Sequence, residues 1–345
     1  MSKFTRRATL RRSAAAVAAL LAVSALAACG SDDNGSLKSL NYQLSWVGDY
    51  SDVGEIVALD KGFYKDAGID LTLAPGGTNA DPVTMASSGK AMVAKVGSSP
   101  SVMLARSEGR PIKAIGSSLQ RHPYTYYSLA ENPVRTPKDF VGKTVGVQAS
   151  SGETLLKAVL KKNGVDPKTV KIEIMSDNME FLRAGKVDVL AGWATNLQAL
   201  KPLEGVESTS LSLWDAGVQM YANLYVASDS TLKKDGKTVE AFLAASAKGW
   251  EYAQKNPEEA LAMVLKKFPS LDEDSQRDSL TGYLELMFAD YDAEKWGDMD
   301  EARWQEQIDM WEDLGEFKSA PPTAQDVMTP SVLDATTAKR PALGR

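Results

Sequence analysis

The chain has 345 residues, of which 43% are hydrophobic and 24% charged, with 39 Lys and Arg against 45 Asp and Glu for a net charge of −6. A single cysteine rules out a disulfide framework and a thiolate metal site, and the acidic balance disfavours nucleic acid and anionic lipid surfaces as partners. Stability must therefore come from buried apolar area, and the length allows two cores of ordinary domain size.

In chain order, Lys3, Arg6, Arg7, Arg11 and Arg12 precede an Ala-rich apolar stretch, 14–28, that is too short and alanine-heavy for a durable transmembrane helix. Leu26-Ala27-Ala28 then places small residues directly before Cys29, the sole cysteine. This layout reads as a signal peptide, 1–28, ending in a lipobox, with Cys29 taking a diacylglycerol and becoming the first mature residue. An ordinary signal peptide with a chance cysteine is the bland alternative. Thr5-Arg6-Arg7-Ala8-Thr9-Leu10-Arg11 resembles a twin-arginine signal with Thr9 where an apolar residue is preferred, so both the Sec and twin-arginine routes stay open. Removing 1–28 takes five basic residues and no acid, leaving 34 Lys and Arg against 45 Asp and Glu, near −11. The expected mature protein is extracytoplasmic and lipid-anchored to the cell membrane, with 29–38 as a polar, flexible lipidated tether.

Strands are predicted at 40–44, 69–73, 92–96 and 112–116, alternating with helices at 54–66, 81–88 and 99–108. A second series follows Pro133 and Pro137: strands at 144–147, 170–174 and 187–190, helices at 153–163 and 178–184, with Gly164 and Gly185 at the helix stops. From 232 onward the pattern is helical, at 237–256, 257–267, 272–289 and 301–314. This rhythm predicts an α/β fold of two lobes, each a mainly parallel sheet flanked by helices, the second inserted into the first. Lobe 1 takes 39–128 plus 224–320, lobe 2 takes 129–223, and 321–345 forms a C-terminal tail that frays from Thr336. Two short apolar extended runs, 126–130 and 221–227, are the expected crossovers.

The run WVGDYSDVGEIVALDKGFYKDAGIDLTLAPGG, 46–77, resembles the opening of bacterial solute-binding proteins of ABC importers. The branch is the one that includes binders of thiamine pyrimidine precursors, riboflavin, nitrate and sulfonates. TPKDFVGKTVGV, 136–147, is similar to that family's second-lobe entry, and AGKVDV, 184–189, to its helix-to-strand step. At Asp52 and Glu55 the chain departs from the pyrimidine-precursor pattern. The resemblance implies a two-lobe periplasmic-binding-protein fold of type II whose lobes close on a small solute and dock on a membrane ABC permease. It also implies a monomer with no cofactor, no metal and no enzymatic activity.

Ligands of open α/β sheets sit beyond the carboxyl ends of the strands. That rule nominates Trp46 and Asp49 after the first strand, Gly77 and Thr78 after the second, and Ser98 and Ser99 after the third. Gln120, His122 and Tyr124 follow the fourth. In the second lobe it nominates Ser150, Ser151 and Gly152, the loop Ser176-Asp177-Asn178, and Trp193 with Asn196. Tyr221 and Asn223 border the second crossover. Trp46 and Trp193 offer ring faces for stacking, and Asn196 could read ring nitrogens. Gly76-Gly77 is first a turn, and one of the serines is first a helix cap. His122, the only histidine, has a packed or surface role as its bland alternative, and Trp250, Trp296, Trp304 and Trp311 read as packing anchors.

The lone histidine leaves nothing spare for most triads or metal sites, and no GxSxG, GxxxxGK[ST] or GxGxxG motif occurs. A lipoprotein hydrolase and an adhesive lipoprotein are the other classes weighed. Eukaryotic relatives of the fold that synthesise a pyrimidine carry a cysteine-rich iron motif, which the mature chain lacks. Acids at Asp49, Asp52 and Glu55 favour a small heteroaromatic solute with amino groups, such as a thiamine pyrimidine precursor. Riboflavin, taurine or another alkanesulfonate, and nitrate are the alternatives.

Overall fold

In the computed structural model, which describes residues 37–77, 80–289 and 293–344, two βα series each build a five-stranded sheet. The first series comprises β1 (Lys38–Gln43), α1 (Val53–Asp60), α2 (Phe63–Asp66), β2 (Ile69–Ala74), α3 (Pro82–Ser87), β3 (Val93–Ser98), α4 (Ser99–Ser107) and β4 (Ile112–Leu119). The chain then crosses to β5 (Tyr124–Leu129), β6 (Thr144–Val147), α5 (Ala149–Lys162), β7 (Lys171–Ile174), α6 (Glu180–Arg183), β8 (Val189–Trp193), α7 (Leu197–Leu200) and β9 (Ser208–Ser212). It returns through β10 (Ala222–Ser228) and closes with α8 (Asp229–Lys255), α9 (Pro257–Lys267), α10 (Glu273–Phe288), α11 (Glu301–Leu314), α12 (Ala324–Val327) and α13 (Ser331–Thr336). Cys29, the export segment and most of the tether lie outside the described residues. Among the described residues no helix is long and apolar enough to cross a membrane.

The sheets share one plan, β2-β1-β3-β10-β4 and β7-β6-β8-β5-β9. β1 is parallel to β2 and β3, and β6 to β7 and β8, as the βα rhythm requires. The strand arriving from the opposite lobe is antiparallel: β10 against β3 and β4, β5 against β8 and β9. A strand entering from the other lobe comes in at the carboxyl ends of its neighbours, so it must run against them. Both sheets are therefore mixed.

This topology moves the crossovers. Residues 126–130 fall largely in β5 and 221–227 in β10, both interior strands buried almost throughout. An apolar extended run looks the same in sequence whether it links two lobes or is covered on both faces. The links are 120–123 and 213–221, and the lobe boundaries expected at 128/129 and 223/224 shift to them. The C-terminal tail is also packed rather than frayed. Arg340, 4% exposed, donates to Asp298 (2.6 Å), to the Leu333 carbonyl (3.1 Å), to Thr336 (3.2 Å) and to the Trp296 carbonyl.

The first lobe's core places α8 on α1 at glycine distance. A Cβ on Gly249 would stand 2.0 Å from the Gly54 carbonyl oxygen, and one on Gly54 would enter the Trp250 ring at 2.3 Å. The Trp250 indole donates to Glu55 Oε1 at 3.1 Å, an oxygen that also accepts from Tyr225. Lys95, buried in β3, donates to Asp52 at 2.7 Å. Trp250, Trp304 and Trp311 are buried in helices, and Trp296 is buried too, but in the turn between α10 and α11 rather than in a helix.

Candidate functional site

A cavity of about 350 Å³ opens at the carboxyl ends of the strands, between elements of both series. From the first series it takes Ser98, Pro100, Ser101 and Leu104, at the start of α4. The crossover supplies His122, with Tyr124 at the head of β5. The second series adds Gln148, Ser151, Gly152, Thr154 and Leu155 around the start of α5, then Asp177 after β7 and Trp193 at the end of β8. Trp311 and Glu316 reach in from the end of α11.

The turn from β6 into α5 is strained. Ala149 has φ 53°, a left-handed conformation costing an alanine roughly 1–2 kcal/mol. It starts α5 without a side-chain cap, so the first N–H groups of a 14-residue helix stay open toward a ligand acceptor. Gly152 then lets Tyr124 lie against the helix, since a Cβ there would stand 2.5 Å from the phenol oxygen.

Three aromatic rings form one wall. His122 lies 5.0 Å from Trp193 at 52°, and 6.2 Å from Tyr124 in a T-shaped arrangement. His122 Nδ1 accepts from the Tyr124 backbone N–H (3.2 Å), which assigns the proton of the neutral ring to Nε2. Burial drives this histidine down to about 3, so it is a neutral donor at physiological pH. The Tyr124 hydroxyl, buried and held well above its ordinary value by burial, makes no well-formed hydrogen bond. Gln148 donates to the Ala191 carbonyl at 2.6 Å and leaves its buried Oε1 without a partner. Asp177 accepts only a long bond from Asn196 (3.4 Å). Buried polar atoms left unsatisfied in a cavity await a ligand or water, because in an apolar setting they are costly.

The structure thus brings Ser98, His122, Tyr124, Ser151, Gly152 and Trp193 together. Other nominees are placed elsewhere. Trp46 is 57% exposed and outside the cavity lining, and Asp49 caps the turn at Ser51 (2.8 Å) with its carboxyl pushed up by burial. Gly77 adopts φ 126° in a turn bridging to Ala80, and Thr78 lies outside the described residues. Ser150 is exposed and absent from the lining, and Asn196 caps α7. Ser99 donates to Gln307, Gln120 to the Asp298 carbonyl (2.8 Å) and Asn223 to Tyr283 (2.6 Å). The Tyr221 hydroxyl accepts from the Asp300 N–H at 2.7 Å. Asp52 is spent on Lys95, and burial raises Glu55 to about 7, so neither gives the cavity its charge. Asp177 and Glu316 supply that charge, beside the neutral Gln148 and Trp311; the strand-end rule nominates the Asp177 loop, and Gln148 directly follows β6, two residues before the nominated Ser150.

α11 packs on the second crossover, whose Trp214 also meets Arg121 of the first. Arg303 lies over Trp214 (5.0 Å) and Tyr221 (5.1 Å), Trp304 packs on Tyr221 (5.7 Å), and Arg121 covers Trp214 at 4.5 Å. Across the cleft edge Tyr50 Oη meets Thr195 Oγ1 at 3.5 Å, and Ser275 donates to Gln198.

A family model described as NMT1/THI5 like matches residues 51–260. The formylaminopyrimidine-binding protein of Halalkalibacterium halodurans is 28% identical over 335 residues, 91% of this chain and 97% of that protein. The riboflavin-binding protein RibY of Chloroflexus aurantiacus is 27% identical over 240 residues, 68% of each chain. The periplasmic aliphatic sulphonate binding protein SsuA of Escherichia coli superposes with a TM-score of 0.66 at 15% identity, over 85% of this chain and 92% of that one, which shows the shared periplasmic-binding-protein fold.

Proposed function

This chain belongs to the NMT1/THI5-like family, and from that premise we propose that it is the extracytoplasmic solute-binding component of an ABC importer, taking a small aminopyrimidine of the formylaminopyrimidine type. The observation that carries the reading is the ring wall of Trp193, His122 and Tyr124 facing two buried, unpartnered polar atoms, Tyr124 Oη and Gln148 Oε1. A flat heterocycle stacks on Trp193, its ring nitrogens accept from His122 Nε2 or Tyr124, and its amine donates to Gln148 or Asp177. A carbonyl or formyl oxygen suits the uncapped start of α5. The likeness to a formylaminopyrimidine-binding protein along nearly its whole length supports the same ligand class. Cys29 anchors the protein to the membrane through lipid, which keeps it near its permease partner.

Thermal unfolding with and without ligand tests this. A solute at about 100 times its Kd stabilises the folded form by roughly 2.7 kcal/mol. Formylaminopyrimidine should raise the Tm and be recovered chemically unchanged. Turnover of the pyrimidine would favour an enzyme, and a shift with riboflavin alone would favour a flavin binder.

A further inference from the structure

The charges lining the cavity are both acidic. Asp177 and Glu316 line it, and no Lys or Arg does among the described residues. Glu316 is held in place by the end of α11: its backbone N–H donates to the Trp311 carbonyl (3.0 Å) across Gly315, whose φ of 74° makes the left-handed turn. The Glu316 carboxylate itself receives no hydrogen bond or ion pair among the described residues, so it is available to a ligand. The Tyr124 hydroxyl, buried and without a well-formed hydrogen bond, lines the same space. Glu316 and Trp311 lie beyond residues 51–260, so this wall of the cavity is outside the stretch matched by the family model.

The open N-terminus of α5 would by itself draw an anion. Phosphate and sulfonate sites built on such a terminus usually add Arg or Lys, and this one adds two carboxylates instead. Resting on the solute-binding reading above, we propose that Glu316 is a specificity-determining residue that accepts a hydrogen bond from an N–H or ammonium group on a side-chain substituent of the solute, the ring amine being left to Gln148 or Asp177. With Asp177 it bars anionic derivatives, namely phosphate esters, sulfonates and carboxylates. The α5 terminus then serves a neutral acceptor such as a carbonyl or hydroxyl oxygen, and the solute carries no phosphate.

The test is calorimetric titration of the whole chain and of Glu316→Gln, which keeps size and removes charge. The probes are a hydroxymethyl aminopyrimidine, its phosphate ester and its aminomethyl counterpart, with benzylamine and benzenesulfonate as a pair lacking the heterocycle. The wild type should bind the phosphate ester at least about 100-fold more weakly than the alcohol. Glu316→Gln should weaken the aminomethyl compound on the order of 10- to 100-fold while moving the alcohol by less than about threefold. Equal losses for amine and alcohol, or tight binding of the phosphate ester or the sulfonate, would overturn the proposal. Benzylamine binding that depends on Glu316, with every pyrimidine silent, would refute the pyrimidine reading and leave the charge selection standing. Silence from all five compounds would sink both.

Discussion

Replacing Gly152 by alanine should separate folding from binding, because the added methyl points at one ligand-facing atom. It would stand 2.5 Å from Tyr124 Oη, about 1 Å inside ordinary contact, and 3.1 Å from Val147 Cβ, whereas the Tyr124 ring carbon at 3.6 Å is already comfortable. Overpacking of this kind costs about 1–3 kcal/mol, and alanine's helix preference in α5 returns up to about 1 kcal/mol. Net stability should fall by no more than about 3 kcal/mol, measured by urea unfolding. The hydroxyl must move, so its contact with the solute is lost, which is worth about 0.5–1.5 kcal/mol or three- to tenfold in Kd. Adding Tyr124→Phe removes the clashing oxygen: stability should recover, while affinity should stay at the level of Tyr124→Phe alone. Wild-type affinity in Gly152→Ala, or no loss in Tyr124→Phe, would show that this hydroxyl does not read the solute.

Trp193→Ala should weaken solute binding by about 1–3 kcal/mol through lost stacking, whereas Trp46→Ala, outside the cavity, should leave calorimetric affinity unchanged. Lys95→Met strands Asp52 in the first lobe's interior and should cost about 3–5 kcal/mol in urea unfolding; a cost under about 1 kcal/mol would mean that water reaches the pair. Glu55 keeps its proton to about 7 in the folded state, so its stabilising contribution is complete below the ordinary 4.5 and is lost as pH rises to 7. His122 titrates near 3 in the folded state, so its contribution is complete above the ordinary 6.5 and is lost as pH falls. Between 4.5 and 6.5 the two slopes oppose, so stability should be nearly flat in the wild type and should rise with pH by about 1.4 kcal/mol per unit in Glu55→Gln; the same rise in the wild type would mean that Glu55 is ionised throughout. Cys29→Ser should release the protein from membranes without altering solute affinity, and quantitative sedimentation with membranes after a salt wash would count against the lipid anchor.

The alternation of strands and helices carried the two-lobe plan, and the strand-end rule found Ser98, His122, Tyr124, Ser151, Gly152 and Trp193. Its misplacements share a cause. Ser99, Gln120, Tyr221 and Asn223 stand at strand ends, but Gln307, Asp298, Asp300 and Tyr283 from the C-terminal helical region take up their polar atoms. Which positions those late elements fill depends on packing between segments far apart in the chain. The same non-locality hid Trp311 and Glu316. A helical stripe shows that Trp311 is buried, not that it borders a cavity formed by residues as far back in the chain as Ser98. Gln148 directly follows β6 and lies within reach of the strand-end rule, two residues before the nominated Ser150.

Calorimetric titration of this protein with formylaminopyrimidine, beside taurine and nitrate under the same conditions, decides which solute the cavity takes. Saturable one-to-one binding of the pyrimidine is expected, with Kd on the order of micromolar or tighter, and no heat of binding from either anion. Saturable binding of taurine or nitrate with no response to the pyrimidine would contradict it.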